Sequence, residues 1–99
     1  MGNWRLTNMA VSDLDSIWKY TYEKWSERQA DEYYFGLIEE IGRIAERNPI
    51  IDREYSEIKS GIFGHHFRKH LIFYRKIQNN NILVIRVLHE KMDIQSKFA

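Results

Sequence analysis

Apolar residues recur with helical spacing through the first half of the chain. Between residues 8 and 25 they fall within an arc of roughly 140° at 3.6 residues per turn, which is typical of an amphipathic helix. The members of this stripe are Val11, Leu14, Ile17, Trp18, Thr21, Tyr22 and Trp25. Thr7 stands just before it, and its hydroxyl can accept a hydrogen bond from an unpaired N–H of the first turn. The pattern therefore predicts a first helix that is capped by Thr7.

A second apolar stripe of similar width follows almost at once. Its members are Ala30, Tyr33, Tyr34, Leu37, Ile38, Ile41, Ile44 and Ala45. Ser26 and Gln29 have the spacing of a capping box, and Pro49 disfavours helical backbone at Asn48. We therefore expect a second helix over residues 27–47. Because almost no residues separate the two helices, they should fold back on each other as an antiparallel hairpin.

The period changes to that of β-strands in the second half of the chain. Residues 62–67 form a weak strand pattern. Residues 70–77 and 82–88 form strong ones, because they are rich in β-branched and aromatic side chains. Residues 78–81 are predicted to be a turn, since three of the four are Asn, which tolerates positive φ. The last part of the chain therefore predicts a β-hairpin.

The order of these elements predicts the fold class. Residues 4–7 form a short first strand, and residues 50–61 are a loop by composition. The order β-α-α-β-β-β indicates an α+β fold in which a helical hairpin packs on a small, mainly antiparallel sheet. A length of 99 residues fits a single domain that covers residues 1–99. The strands are apolar on both faces, which implies cover on both faces or one face that awaits a partner.

Charge is distributed unevenly along the chain. Residues 1–60 carry a net charge of −4, whereas residues 61–99 carry +5 and all four histidines. This asymmetry indicates either uneven solvation or a basic face that meets an anionic partner. No apolar run approaches the ~20 residues needed to span a bilayer, and residues 1–5 lack the apolar region of a secretory signal. We therefore expect a cytoplasmic protein with no membrane contact.

The sequence lacks the residues that most kinds of catalytic and metal sites require. There is no cysteine, and the motifs G-x-x-x-x-G-K-[ST], G-x-G-x-x-G and H-E-x-x-H are absent. His65 and His66 are adjacent on a predicted strand, with His70 nearby, and their side chains should point to opposite faces. They are therefore poorly placed to share an ion, and no serine has the context of a catalytic nucleophile. We expect neither a metal nor a cofactor.

A ribonuclease site needs fewer components, namely a base, an acid and cations for the phosphate. The chain could supply them from Tyr74, Arg75, Arg86, His89 and Lys91. Strand alternation separates several of these side chains. Arg75 could equally be an edge charge that deters strand addition, and Arg86 could equally pair with a helix carboxylate. The nuclease interpretation therefore stays an alternative.

The aromatic members of the helical stripes allow two interpretations. Side chains at helical spacing are most often part of the core. A surplus apolar groove would instead suit an amphipathic segment of a partner protein. The candidate lining of such a groove is Trp18, Tyr22, Trp25, Tyr34 and Leu37.

Five strings occur in a fixed order along nearly the whole chain. They are Leu14-x-x-Ile17-Trp18-x-Tyr20, Ala30-x-x-Tyr33, Asn48-Pro49, His70-Leu71-Ile72-Phe73-Tyr74-Arg75 and Ile85-Arg86-Val87-Leu88-His89-x-x-Met92-Asp93. Together they resemble the ParE branch of the RelE/ParE toxin superfamily, from bacterial type II toxin–antitoxin systems. The two strand strings are the specific ones. One departure is Phe63, which stands where many similar sequences carry an Arg.

The resemblance implies a plasmid-stabilisation toxin that inhibits DNA gyrase, and so DNA replication, without catalysis. It also implies a ParD-type antitoxin, which neutralises the toxin and binds operator DNA, so that the toxin reaches DNA only indirectly. The matching positions give candidate target contacts at Arg86, His89, Met92 and Asp93. Two alternatives stay open, a RelE-like ribosome-dependent mRNA endoribonuclease and a non-toxic relative that binds a partner.

Overall fold

The elements follow the predicted order, with two short additions. The structure, a computed structural model, describes residues 2–47 and 51–98. Its elements in chain order are β1 (Trp4–Leu6), α1 (Asn8–Lys24), α2 (Glu27–Glu46), β2 (Arg53–Glu54), β3 (Phe63–Phe67), β4 (His70–Lys76), β5 (Ile82–His89) and α3 (Ile94–Phe98). The additions are β2 and α3.

Side-chain caps begin both long helices at the predicted residues. Thr7 Oγ1 accepts a hydrogen bond from the Ala10 N–H at 3.1 Å. Ser26 Oγ accepts one from the Gln29 N–H, also at 3.1 Å. Each cap satisfies a backbone donor that has no partner inside the helix, which stabilises a helix by about 1 kcal/mol. The predicted helix starts are therefore confirmed.

The two long helices end close to the predicted positions. Trp25 leaves helical backbone, although its N–H still donates to Thr21 O at 2.9 Å. α2 ends at Glu46, and the predicted stop at residues 48–49 lies outside the described residues. Only two residues separate α1 from α2, so they form the predicted hairpin. Within residues 2–47 and 51–98, no helix combines the length and apolar content required to cross a membrane.

The sheet has five strands in the order β1-β5-β4-β3-β2. β1 lies parallel to β5, and the other three pairs are antiparallel. This topology confirms the α+β fold class and the place of the first strand in the same sheet. The loop predicted at residues 50–61 is wrong in part, because Arg53 and Glu54 pair with Gly64 and Phe63. Two paired residues leave too short a pattern to detect in a sequence.

The turn between β4 and β5 depends on two asparagines. Asn79 and Asn80 have φ of 59° and 61°, within a short 3₁₀ turn at Gln78–Asn80. Asn adopts this left-handed conformation more readily than most residues because its short polar side chain bonds locally. The predicted turn is confirmed.

A β-bulge interrupts the pairing of β4 with β5. Tyr74 pairs with Val84 and Phe73 pairs with Arg86, so Ile85 is an extra residue on β5. A bulge of this kind displaces every later pair by one residue and re-aims the side chains beyond it. The residues at the C-terminal end of β5 therefore pair with different β4 residues from those in a regular hairpin.

The chain itself covers both faces of the sheet. The helical hairpin covers one face. The core between the hairpin and this face contains Ala10, Leu14, Leu37, Ile41, Ile44 and Ala45 from the helices and Ile72, Tyr74, Ile82, Val84 and Val87 from the strands. The other face carries a smaller cluster, Ile62, Leu71, Phe73 and Leu88, which is packed against residues near the end of β2 and in α3. The Phe98 ring of α3 meets the Phe73 ring edge to face at 5.3 Å. Of the two alternatives for these apolar strands, cover on both faces is the observed one.

Candidate partner-binding site

A cavity of about 680 Å³ opens where the end of β5 meets the connection between α1 and α2. Its apolar and aromatic lining consists of Ile17, Tyr20, Trp25, Tyr33, Val87 and Met92. We call this the end cavity. Ligand-binding cavities in proteins commonly have volumes of about 300–1,000 Å³ and mainly apolar walls. The end cavity is therefore large enough to take several side chains of a partner.

Positive charge surrounds the end cavity. Lys24, Lys69 and Lys91 line it and are exposed to solvent. Among the described residues that line it, Asp13 is the acidic one. Both Asp13 carboxylate oxygens already accept hydrogen bonds from Arg86, at 2.8 and 2.9 Å. The charge that the cavity offers to a partner is therefore positive.

Two histidines and a tyrosine contact one another in the wall of the end cavity. The register pairs His70 with His89, and their rings meet edge to face at 5.3 Å. Burial, and then the neighbouring His89, lowers the pKa of His70 to about 4, so this ring is neutral at pH 7. The Tyr33 hydroxyl, whose pKa is raised by burial, is hydrogen-bonded to His70 Nδ1 at 2.6 Å.

A hydrogen bond from the backbone orients the His89 ring. His89 Nδ1 accepts from the Lys91 backbone N–H at 3.1 Å. An accepting nitrogen carries no proton, so His89 presents its N–H at Nε2. His89 therefore supplies an imidazole N–H donor, which favours an anionic or carbonyl oxygen.

The predicted groove residues divide into three environments. Trp25 is 69% exposed and lines the end cavity. Trp18 stacks on the half-exposed Tyr22 ring at 5.3 Å, outside that cavity. Tyr34 is half-buried at the edge of the core. The prediction that Leu37 lines the groove is wrong. Leu37 is 0% exposed and packs in the core between the hairpin and the sheet, where no partner can contact it.

The predicted target contacts also separate. His89 and Met92 line the end cavity, and Asp93 is exposed beside them in the chain but is outside the lining. The prediction that Arg86 contacts the target is wrong, because Arg86 is only 9% exposed and its guanidinium already has partners. Besides its two bonds to Asp13, Arg86 Nη1 donates to the Lys97 carbonyl oxygen of α3 at 3.0 Å. Arg86 therefore joins α1 and α3 to β5 and is not a free anchor.

The candidate nuclease residues do not form one site. Tyr74 is fully buried, and its hydroxyl donates to a carboxylate in the segment before β2. Arg86 is occupied by Asp13, which is the alternative that the sequence left open. Arg75 is exposed near the opposite end of β4 from His89. Of the proposed set, only His89 and Lys91 line the end cavity, within the part of the chain that the structure describes.

A partly buried polar network lies around His65, away from the end cavity. His65 Nδ1 is 2.8 Å from Asp52 Oδ1, and its Nε2 is 2.6 Å from Glu40 Oε2. Asp52 Oδ2 accepts hydrogen bonds from the Tyr74 hydroxyl at 2.5 Å and from Arg47 Nη2 at 2.8 Å. The network connects α2, the segment before β2, and the strands β3 and β4. Its members are far apart in sequence, so no local spacing could have predicted it.

Several residues of the end cavity were not predicted as partner contacts. Lys24 and Lys69 carried no prediction of their own, and His70 was considered only as a metal ligand and as part of a family string. The sequence signal was the basic run Arg68-Lys69-His70 between two predicted strands. In the structure, Arg68 has a φ of 54°, which marks a tight turn there. Binding residues commonly lie on turns and loops that a rigid sheet positions.

The fold and the site define a class of protein, a small α+β protein with a helical hairpin on one sheet face and a basic, aromatic cavity at one end. A family model described as "ParE toxin of type II toxin-antitoxin system, parDE" matches residues 4–94. The chain therefore belongs to the ParE toxin family. This confirms the resemblance inferred from the sequence.

Individual relatives agree with this assignment. The chain is 38% identical over 89 residues to Toxin ParE1 of Mycobacterium tuberculosis, with 90% of each protein covered. It is 32% identical over 96 residues to Toxin ParE1 of Caulobacter vibrioides, with 97% of each covered. A solved structure, described as the chromosomal ParDE TA system from P. aeruginosa, has a TM-score of 0.76 at 16% identity and covers 90% of this chain and 96% of that one. That likeness supports the α+β fold.

Proposed function

We propose that this chain acts in the cytoplasm as a toxin that inhibits DNA gyrase and thereby blocks replication. A ParD-type antitoxin binds the chain directly and neutralises it. The observation that carries the proposal is the ParE toxin family match over residues 4–94. Relatives that are 30–38% identical are named as ParE toxins, which supports the same assignment. Operator DNA is reached only through the antitoxin.

Inhibition by binding, without catalysis, agrees with the chemistry of the described residues. Two of the five candidate nuclease groups are used inside the fold, since Tyr74 donates to Asp52 and Arg86 pairs with Asp13. A third, Arg75, is exposed near the opposite end of β4 from His89. These features favour a binding protein over an endoribonuclease.

We propose that His89, Met92 and Asp93 contribute to the target contact. His89→Ala should weaken gyrase inhibition by lowering affinity, so that a higher toxin concentration restores full inhibition. His66→Ala is the matched control, because His66 is an exposed histidine on β3 outside the end cavity. The measurement is gyrase supercoiling of plasmid DNA with ATP over a range of toxin concentrations, with trapped cleaved DNA scored on the same gel.

A parallel assay separates the proposal from its alternatives. Translating ribosomes receive the same protein, and the mRNA is mapped for new ends. Cuts that depend on ribosomes, with supercoiling intact, would establish an endoribonuclease instead, and loss of an acid or base would then reduce the rate by about 10²–10⁴-fold. Inactivity of the folded, antitoxin-free protein in both assays would favour the non-toxic partner-binding alternative.

Trp25 offers a test of antitoxin binding that leaves the fold intact. Its side chain is 69% exposed, so Trp25→Ala removes little core packing. A buried aromatic anchor at an interface contributes about 2 kcal/mol or more, which corresponds to a roughly 30-fold loss of affinity. The control is Ile51→Ala, which removes a 73% exposed apolar side chain outside the proposed groove. Equal antitoxin affinity of the two variants in titration calorimetry would remove Trp25 from the interface.

A further inference from the structure

Aromatic rings lie next to cations in two parts of the end cavity. On α1, the Lys24 ammonium lies 6.0 Å from the centroid of the exposed Tyr20 ring. At the turn between β3 and β4, the Arg68 guanidinium lies 5.7 Å from the centroid of the Tyr33 ring, and Lys69 is the next residue. Both rings and both lysines line the cavity. A ligand that fills it therefore meets a flat ring and a positive charge together, twice.

The strands add polar rings to the same lining. His70 and His89 both line the end cavity. His70 has no charge at pH 7, because burial and then the neighbouring His89 lower its pKa to about 4. His89 presents an N–H at Nε2. An aliphatic side chain placed over these rings would leave polar nitrogens without a partner, whereas the edge of a nucleic-acid base offers donors and acceptors.

Single-stranded nucleic acid repeats a flat base and an anionic phosphate along its length. Proteins that bind it commonly stack the bases on aromatic rings and hold the backbone in a positively charged groove. The acidic residue of the lining, Asp13, is paired with Arg86, so its charge is compensated. Glu90 is outside the lining and lies 3.9 Å from His66 on β3. The lining therefore complements both parts of a nucleotide.

We propose that the end cavity binds single-stranded DNA. Bases pack against Tyr20 and Trp25, which are the exposed rings of the lining. Lys24, Lys69 and Lys91 contact the phosphates. The inference rests on the proposed function, because the DNA that gyrase has cleaved is the source of an unpaired strand. The toxin then contacts this DNA as well as the enzyme. The bases of operator DNA are paired inside a duplex, so that contact stays with the antitoxin.

The salt dependence of binding tests the phosphate contacts. A labelled oligo(dT) of about 12 nucleotides, within the range of known single-strand sites, is titrated with antitoxin-free toxin by fluorescence anisotropy, without gyrase. The variant Lys69→Gln/Lys91→Gln is compared with Lys59→Gln/Arg75→Gln, which removes the same charge from exposed positions outside the end cavity. Each lost phosphate contact lowers the slope of log K against log salt by about 0.7. The cavity variant should therefore lose about 1.4 and the control variant almost nothing.

A charge-neutral substitution tests base stacking. Trp25→Ala should weaken oligo(dT) binding by about tenfold, which is within the range measured for single base–aromatic stacks. It should leave the salt slope unchanged, because no phosphate contact is removed. Tyr22→Ala is the control, since it removes an exposed ring of α1 outside the end cavity, and its affinity should equal that of the unsubstituted toxin.

Equal affinities and salt slopes of the cavity and control variants would overturn the inference. Displacement of the DNA by an equal concentration of a peptide that alternates Glu and Leu would also overturn it, because the cavity would then select a protein segment. A preference of about tenfold or more for oligo(U) would assign the site to RNA instead. The gyrase assay stays separate. Toxin that binds oligo(dT) but leaves supercoiling intact would retain the site and lose the proposed target, whereas gyrase inhibition without oligo(dT) binding would refute the inference alone.

Discussion

We expect Arg86→Ala to lower the free energy of unfolding by about 3 kcal/mol, because it leaves a mostly buried carboxylate without its cation. Arg86 donates to both oxygens of Asp13, and the two side chains are only 11% and 13% exposed. The substitution also removes the donor to the α3 carbonyl oxygen of Lys97. Urea unfolding at pH 7 measures the change, which is a large share of the 5–15 kcal/mol typical of a domain.

The controls separate lost pairing from lost charge. Arg75→Ala removes an exposed arginine from the same sheet and should change the free energy of unfolding by less than about 0.5 kcal/mol. Arg86→Lys keeps the charge but loses the two-pronged contact, so its loss should be intermediate. In a double-mutant cycle with Asp13→Ala, the two losses should be strongly non-additive. A folded Arg86→Ala protein of unchanged stability that no longer binds gyrase would restore Arg86 as a target contact.

Asp52→Ala should lower the free energy of unfolding by a similar amount, about 3 kcal/mol or more, because the buried Tyr74 hydroxyl and two partly buried side chains lose their common acceptor. Asp52 accepts from the Tyr74 hydroxyl, from Arg47 and from His65. Tyr74→Phe removes one of these bonds and should cost about 1.5–3 kcal/mol, since the acceptor is charged. Glu57→Ala, which removes an exposed carboxylate from the loop after β2, should leave urea unfolding unchanged.

The same network makes the protein sensitive to acid. Burial raises the pKa of Asp52 and Glu40, but the hydrogen bonds to Asp52 from Tyr74 and His65, and those to Glu40 from His65 and Arg43, outweigh burial and hold both pKa values below their ordinary 3.8 and 4.5. A carboxyl group with a lowered pKa stabilises the fold above its ordinary pKa, and that stability is lost as the pH falls through the lowered value. Unfolding at pH 6, 4 and 3 should therefore show a decline that is shallower in Asp52→Asn. Parallel pH profiles would contradict this.

The hairpin, the strands and the turn were predictable because their signals are local. Thr7 and Ser26 cap helices by reaching three residues ahead, and Asn79 and Asn80 accept positive φ without help from the rest of the fold. The wrong assignment of Leu37 has an equally physical cause. A stripe of roughly 140° includes residues that face the sheet and residues at its exposed edge, and periodicity does not distinguish them.

The end cavity was only partly predictable because it depends on the β-bulge at Ile85. In a regular hairpin that starts with Lys76 opposite Ile82, His70 would pair with residue 88. The extra residue shifts the pairing by one, so that His70 meets His89 and the two rings share a wall. The sequence contains no glycine or other marker at this position, so the bulge could not be inferred from it.

The parallel pairing of β1 with β5 has a consequence for synthesis of the toxin. The Thr7 hydroxyl that caps α1 also donates to the Ile85 carbonyl oxygen, across 78 positions of sequence. Contacts between residues close in sequence form before distant ones. The helical hairpin can therefore form on the ribosome before β5 is synthesised and pairs with β1 and β4. The end cavity needs the end of β5 as one of its walls. A fragment that stops before residue 82 should therefore lack the end cavity and, under the proposed function, should fail to inhibit gyrase.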